Sequence, residues 1–321
     1  MDDGMAIVAR GLTKKYKQVT AVNNLTLDIP RGTVYGFLGP NGAGKTTTIR
    51  MLLGLIEPTS GTAQVLGYDI RRERAKIAPK VGAIVESPAF YTFLSGEQNL
   101  EVLARSSNLD VGKRRIAELI EYVGLEGRGG HKVKTYSLGM KQRLGVAATL
   151  LNEPDIIFLD EPTNGLDPAG TVDMRNLIAR LGQEGHTVFL SSHMLHEVEQ
   201  VCSNVAIVQR GVTIKQGRMS DLVAGDGGYA IEAAPFDRAL GVLRDHGQLN
   251  AISPDNHWIN ITAGAGDVPA LVRALVRADV DVYQVQVRQK TLESLFLEVT
   301  GNPGEVPTVP QLNQQELGAI K

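Results

Sequence analysis

Apolar positions recur along the chain in two periods, and the switches between them mark out its elements. Residues 7–9 open a strand-like run, and residues 25–29 alternate apolar and polar side chains before a Pro30-Arg31-Gly32 turn. They predict an antiparallel sheet leading into the apolar strand 34–38. A helix-like segment at 47–55 comes next, then a turn at 57–61 and strands at 62–66 and 81–86. From Pro88 to about Asn152 the period becomes helical. Ser95 precedes Gln98 by three residues, a capping-box pattern, with Leu100 and Leu103 on one face behind it. Residues 113–123 repeat the helical period through Ile116, Leu119, Ile120 and Val123, and a Gly- and Lys-rich connection covers 124–134.

Alternation of strand and helix then resumes. Residues 155–160 are nearly all apolar, the pattern of a buried parallel strand. A helix at 168–184, a second buried strand at 186–193 and a helix at 195–201 follow. Runs at 205–208 and 212–215 flank Arg210-Gly211 as a hairpin. The glycine-rich stretch 225–228 reads as a linker. Beyond it the order is strand (229–233), helix (235–245), strands (249–253 and 257–261), helix (268–278) and strand (282–287). This βαββαβ order predicts a ferredoxin-like domain over 229–300. It ends in an amphipathic helix at 291–300 with Leu292, Leu295, Phe296 and Val299 inward. The tail 301–321 has three prolines and little apolar content, a composition expected to stay disordered. No internal repeat interrupts this plan.

Composition narrows the setting. The chain has 321 residues, 43% hydrophobic and 21% charged, enough for about two globular domains. A net charge of -2 supplies no bulk basic field, so nucleic acid is not an expected partner. No stretch approaches the roughly 20 apolar residues of a membrane span, and the acidic N-terminus is unlike a signal peptide. The single cysteine, Cys202, reads as a small core residue or, less simply, as a reactive thiol. Together these features predict an intracellular protein that is free to dock on a membrane partner.

The chemistry concentrates in Gly39-Pro40-Asn41-Gly42-Ala43-Gly44-Lys45-Thr46-Thr47. Strand, glycine loop and helix follow in the order that a phosphate-binding P-loop requires. Glycines let successive N–H groups turn inward, and the following helix adds its positive end. Lys45 can reach the β- and γ-phosphates, and the Thr46 hydroxyl can ligate magnesium. Asp160 and Glu161 close the buried strand 155–160. Asp160 is a candidate magnesium partner, and Glu161 is placed to polarise a water for attack on the γ-phosphate. His193 ends the next strand, where a parallel sheet would deliver it to the same edge. Tyr16 either stacks on an adenine ring or is a half-buried edge tyrosine.

With the segment Thr135-Tyr136-Ser137-Leu138-Gly139-Met140-Lys141-Gln142-Arg143 just ahead of that acidic pair, residues 7–224 resemble the ATP-binding cassette (ABC) family, the ATPases of membrane transporters. The resemblance implies an α/β P-loop nucleotide-binding domain over 1–224, with an antiparallel β subdomain and a helical subdomain at about 88–152. It matches the family's signature to Ser137 and Gly139, its aromatic loop to Tyr16, its D-loop to residues 164–167 ending at Asp167, and its switch histidine to His193. It further implies that two copies sandwich two molecules of ATP with Mg2+. Ser137 and Gly139 would then complete the partner copy's site, and hydrolysis would drive a membrane permease from the cytoplasmic face.

Two positions depart from the family. Leu138 and Met140 replace the usual Gly and Gln of the signature, while the Ser and second Gly remain. Glu86 stands where the family has a magnesium-sensing Gln, and no Gln occurs between Gln64 and Gln98. Glu86 is therefore expected beside the metal, where an ionised carboxylate accepts hydrogen bonds but donates none. This Glu variant, with residues 82–91 and 291–301, resembles the exporter ATPases of bacitracin resistance and lantibiotic self-protection. An importer ATPase with a regulatory C-terminal domain, or a soluble cassette acting on ribosomes or DNA, stands as the alternative.

Overall fold

The computed structural model describes residues 4–223, 228–245, 249–252, 258–262, 266–288 and 291–300. The expected linker at 225–227 and the tail at 301–321 lie outside the described residues, and Gly228 already belongs to a strand. Two compact units divide the chain, the first running to Met219 and resuming at Val299, and the second running over Ser220–Glu298.

The first unit opens with β1 (Met5–Tyr16) and β2 (Val19–Pro30), both longer than their sequence patterns. They pair antiparallel with each other and, through β1, with β4 (Ser60–Val65) and the short β5 (Tyr68–Asp69). The six-stranded second sheet contains β3 (Val34–Leu38), β6 (Val81–Ile84), β7 (Ile156–Asp160), β8 (Thr187–Ser192), β9 (Asn204–Gln209) and β10 (Val212–Arg218). Its order is β10-β9-β3-β8-β7-β6, parallel except for β10. β10 returns from β9 through Arg210 and Gly211, both at positive φ (50° and 79°), the pairing expected of a tight hairpin turn.

Burial explains the parallel core. Every residue of β3, β7 and β8 is buried, so these strands read as apolar runs and not as alternations. Phe189 sits between Tyr35, Phe37 and Phe158, with ring centroids 6.2, 5.2 and 5.4 Å away. The register sets Leu38 beside Ser192 and Asp160 beside Ser191. The loops after β3, β7 and β8 therefore leave the sheet at one edge, where open α/β sheets bind ligands.

The first helix, α1 (Lys45–Leu52), begins and ends two and three residues earlier than its pattern predicts. Gly44 caps its start at φ 94°, and Gly54, at φ 64°, follows its end. A short α2 (Arg74–Ile77) leads to β6. β6 stops at Ile84, two residues before the expected end, so Glu86 lies beyond the strand at φ 66°. The expected helical segment contains α3 (Gly96–Ser106), α4 (Lys113–Tyr122) and α5 (Leu138–Thr149). The Ser95–Gln98 capping box forms in full. Then α6 (Pro168–Gln183) precedes β8, α7 (Leu195–Val201) precedes β9, and α8 (Met219–Val223) follows β10.

The second unit carries β11 (Gly228–Ala234), α9 (Phe236–Asp245), β12 (Leu249–Ile252), β13 (Trp258–Thr262), α10 (Val268–Arg277), β14 (Asp281–Arg288) and α11 (Leu292–Thr300). Its strands order as β12-β13-β11-β14, all antiparallel, the arrangement of a ferredoxin-like sheet. Ile231, Ile259 and Ile261 meet Leu243 of α9 and Leu271 and Leu275 of α10 in a core of its own.

Candidate nucleotide site

The loop between β3 and α1 is built by close approach. Gly39 follows the strand, and a Cβ there would collide with the Val208 carbonyl oxygen. At Gly44 the backbone is left-handed and a Cβ would meet the Ala21 carbonyl oxygen, so glycine answers two demands at once. Asn41 and Gly42 are exposed at the tip, and Ala43 is buried beneath it. Lys45 is only 6% exposed, and its ammonium donates to Gly39 O at 2.7 Å and Pro40 O at 3.2 Å. Thr47 is half-buried in the first turn.

The acidic pair converges on this loop. Thr46 Oγ1 donates to Asp160 Oδ2 at 2.7 Å, and Ser191 Oγ donates to Asp160 Oδ1 at 2.5 Å. Both oxygens of a buried carboxylate are thereby satisfied. Glu161 turns out of β7 at φ 50°, its N–H held by Ser191 O at 3.2 Å and Ser191 Oγ at 3.1 Å. That turn sends its side chain back over the loop. Glu161 Oε1 lies 3.0 Å from Lys45 Nζ yet accepts no hydrogen bond, and Oε2 accepts from His193 Nδ1 at 2.7 Å. A carboxylate accepts only, so Nδ1 carries the proton in that bond. One lysine, one histidine, two carboxylates and two hydroxyls thus meet at one sheet edge. A hydroxyl beside a carboxylate is an oxygen pair of the kind magnesium takes, and a second carboxylate at the same edge is of the kind that serves as a general base.

The remaining predicted residues lie elsewhere. Tyr16 ends β1, 38% exposed, with Lys14 Nζ 5.0 Å from its ring centre. Partial burial raises its pKa, and the charge of Arg50 opposes that rise. Glu86 is held by Arg50 of α1, whose Nη2 donates to its Oε1 at 2.7 Å. Glu86, expected beside the metal, forms an ion pair with Arg50 in this structure. Its left-handed position past the end of β6 gives its carboxylate to Arg50, while Thr46 and Asp160 bond to each other. Ser137 caps α5, accepting from Met140 N at 3.2 Å. Asp167 caps α6, accepting from Gly170 N at 3.0 Å. Among the described residues a Cβ on Gly139 would meet nothing nearer than Leu166 at 3.9 Å, so none of them demands a glycine there.

A family model described as ABC transporter matches residues 22–164. An uncharacterized ABC transporter ATP-binding protein, YhcH of Bacillus subtilis (strain 168), is 43% identical over 298 residues, covering 92% of this chain and 96% of that protein. The chain belongs to the ABC transporter ATPases. The bacitracin transport ATP-binding protein BcrA of Bacillus licheniformis is 37% identical over 293 residues, covering 90% of this chain and 95% of that one. Among solved structures, a part of the cbiONQ ABC transporter complex from Clostridium perfringens superposes with a TM-score of 0.63 at 26% identity, covering 69% of this chain and 91% of that one. This cassette is accordingly an ATP-binding subunit and an ATPase. No described helix is long and apolar enough to cross a membrane.

Two residues of the cassette escaped sequence reasoning. Ser191 carries no motif of its own, and only the pairing of β7 with β8 puts it on Asp160 and Glu161. Arg50 looks like any helix-surface arginine. Its position one turn after Thr46 was a signal, but its partner Glu86 is 36 residues away.

Proposed function

We propose that the cassette powers a separately encoded membrane permease that exports an antibiotic, peptide or drug, working as a pair of copies at the cytoplasmic face. The observation that carries the reading is the division of the site. Lys45, Thr46, Asp160, Glu161 and His193 gather at one sheet edge, whereas Ser137 and Gly139 sit beside their own D-loop, near Leu166 and Gly170. A helix N-terminus led by Ser137 and an unobstructed Gly139 favours an anion supplied from outside the chain. Two copies arranged head to tail would each lend that end to the other's γ-phosphate. Export is supported by similarity to the bacitracin transport protein.

In this reading Tyr16 stacks the adenine, and residues 39–47 wrap the phosphates. Thr46 and Asp160 would hold Mg2+, which would supply positive charge against the phosphates. Lys45 exchanges its loop carbonyls for phosphate oxygens. Once Lys45 has left it for the phosphates, Glu161 Oε1 takes the proton of the attacking water, and His193 orients Glu161 through Oε2. Asp167 holds the D-loop at the copy interface.

The test is Glu161→Gln. It keeps the shape and removes the acceptor charge, so the variant should bind MgATP, elute as a dimer with it, and hydrolyse about 100-fold or more slowly. Turnover near wild type would refute the assignment of the base. Membrane pulldown should recover an integral membrane protein; ribosomes in its place would refute the transport role.

A further inference from the structure

The Arg50–Glu86 pair falls outside the catalytic cluster, and we infer that it is a detachable countercharge governing nucleotide affinity. Arg50 stands four residues beyond Thr46, one helical turn or about 6 Å along the axis. Charges on neighbouring turns of one helix act on each other over a Debye length of about 8 Å at physiological salt. The charge of Arg50 also opposes the rise that burial causes in the Tyr16 pKa. Left alone, the guanidinium would add to the positive field of the P-loop and draw in the phosphates. Glu86 cancels it at 2.7 Å.

The carboxylate arrives on a segment that belongs to neither α1 nor β6. Glu86 has left β6 and sits at φ 66°, immediately before Ser87 and Pro88. Its neighbours Val85, Ser87, Pro88, Ala89 and Phe90 line a cavity of about 750 Å3 between β6, α3 and α5. The Glu86 side chain is 66% exposed and that of Arg50 33%. An exposed pair of this kind is worth little to stability, so it opens readily. Whatever draws residues 85–90 toward the cavity uncovers Arg50 and tightens ATP. The loop would then signal to the nucleotide through the charge on α1, without Glu86 touching the metal.

The inference rests on residues 39–47 binding MgATP, and its test separates the two. Steady-state ATPase and titration with a fluorescent ATP analogue are run on the full chain at low salt. Glu86→Gln uncovers Arg50, and the KM and Kd for MgATP should fall about threefold. Arg50→Gln leaves an unpaired carboxylate, and both should rise about threefold. The double variant, neutral at both positions, should return close to wild type, and Arg50→Lys should retain wild-type affinity. Both shifts should shrink in ~0.5 M salt. A structural brace would give the opposite pattern, weaker binding for either single variant and no recovery in the double. Same-direction shifts, or none, overturn the inference. A wild-type chain that binds no MgATP overturns the underlying assignment instead.

Discussion

At the scale of single residues, backbone constraint and burial set the limits. Gly44 needs a left-handed backbone and tolerates no Cβ against Ala21 O. Gly44→Ala is expected to cost at least the ~1–2 kcal/mol of a left-handed non-glycine residue, and to displace Lys45 and Thr46. Urea unfolding and MgATP titration should both register the change, and intact affinity would contradict it. Cys202 illustrates the effect of burial. It is buried, and burial pushes its thiol pKa well up, so almost no thiolate exists near neutrality. A disulfide reagent at pH 8 should leave the native protein unlabelled and react with one thiol in urea. Rapid native labelling would restore the reactive-thiol reading. Lys45, Asp160, Glu161 and His193 could be picked out of the sequence because each falls at a chemically demanding spacing. Ser191 and Arg50 could not, since a serine or an arginine acquires a role only from its neighbours.

At the scale of elements, two helix caps of the same chemistry separate structural from functional serines. Ser95 caps α3 within a complete capping box, and Ser137 caps α5 by a single bond to Met140 N. Each serine-to-alanine change should destabilise the fold by about 1 kcal/mol. Only Ser137→Ala should also depress ATPase activity well beyond its effect on stability, because its hydroxyl is proposed to serve the partner copy. Equal loss of activity in both variants would remove that distinction. Element boundaries were less legible than element types. The helical period of α1 is visible in its apolar residues, but its limits are set by Gly44 and Gly54 adopting positive φ. The sequence pattern of β6 extends two residues further because Val85 continues the β-branched run from Ile84 up to Glu86, and periodicity carries no information about where a ladder loses its partner.

At the scale of the whole molecule, the two units have separate hydrophobic cores. A ligand stabilises only what it binds, by about 2.7 kcal/mol at 100 times its Kd. MgATP should therefore raise the thermal transition of the P-loop unit in calorimetry and leave that of the ferredoxin-like unit in place. A matching rise in both would mean that the units unfold as one. The βαββαβ order was enough to anticipate the second sheet, since antiparallel strands with two covering helices admit few arrangements.

By itself the sequence determined the chemistry available and the kind of fold: a glycine loop between strand and helix, acids at a buried strand end, a capped helical segment and a separate βαββαβ unit. These are local patterns, written in residue type and spacing. Tertiary structure decided which groups meet. The parallel register of β3, β7 and β8 brings Lys45, Glu161 and His193 together and recruits Ser191 between Asp160 and Glu161. It also set Glu86 against Arg50, because the end of β6 and the face of α1 are set by packing, and no spacing along the chain encodes the distance between them.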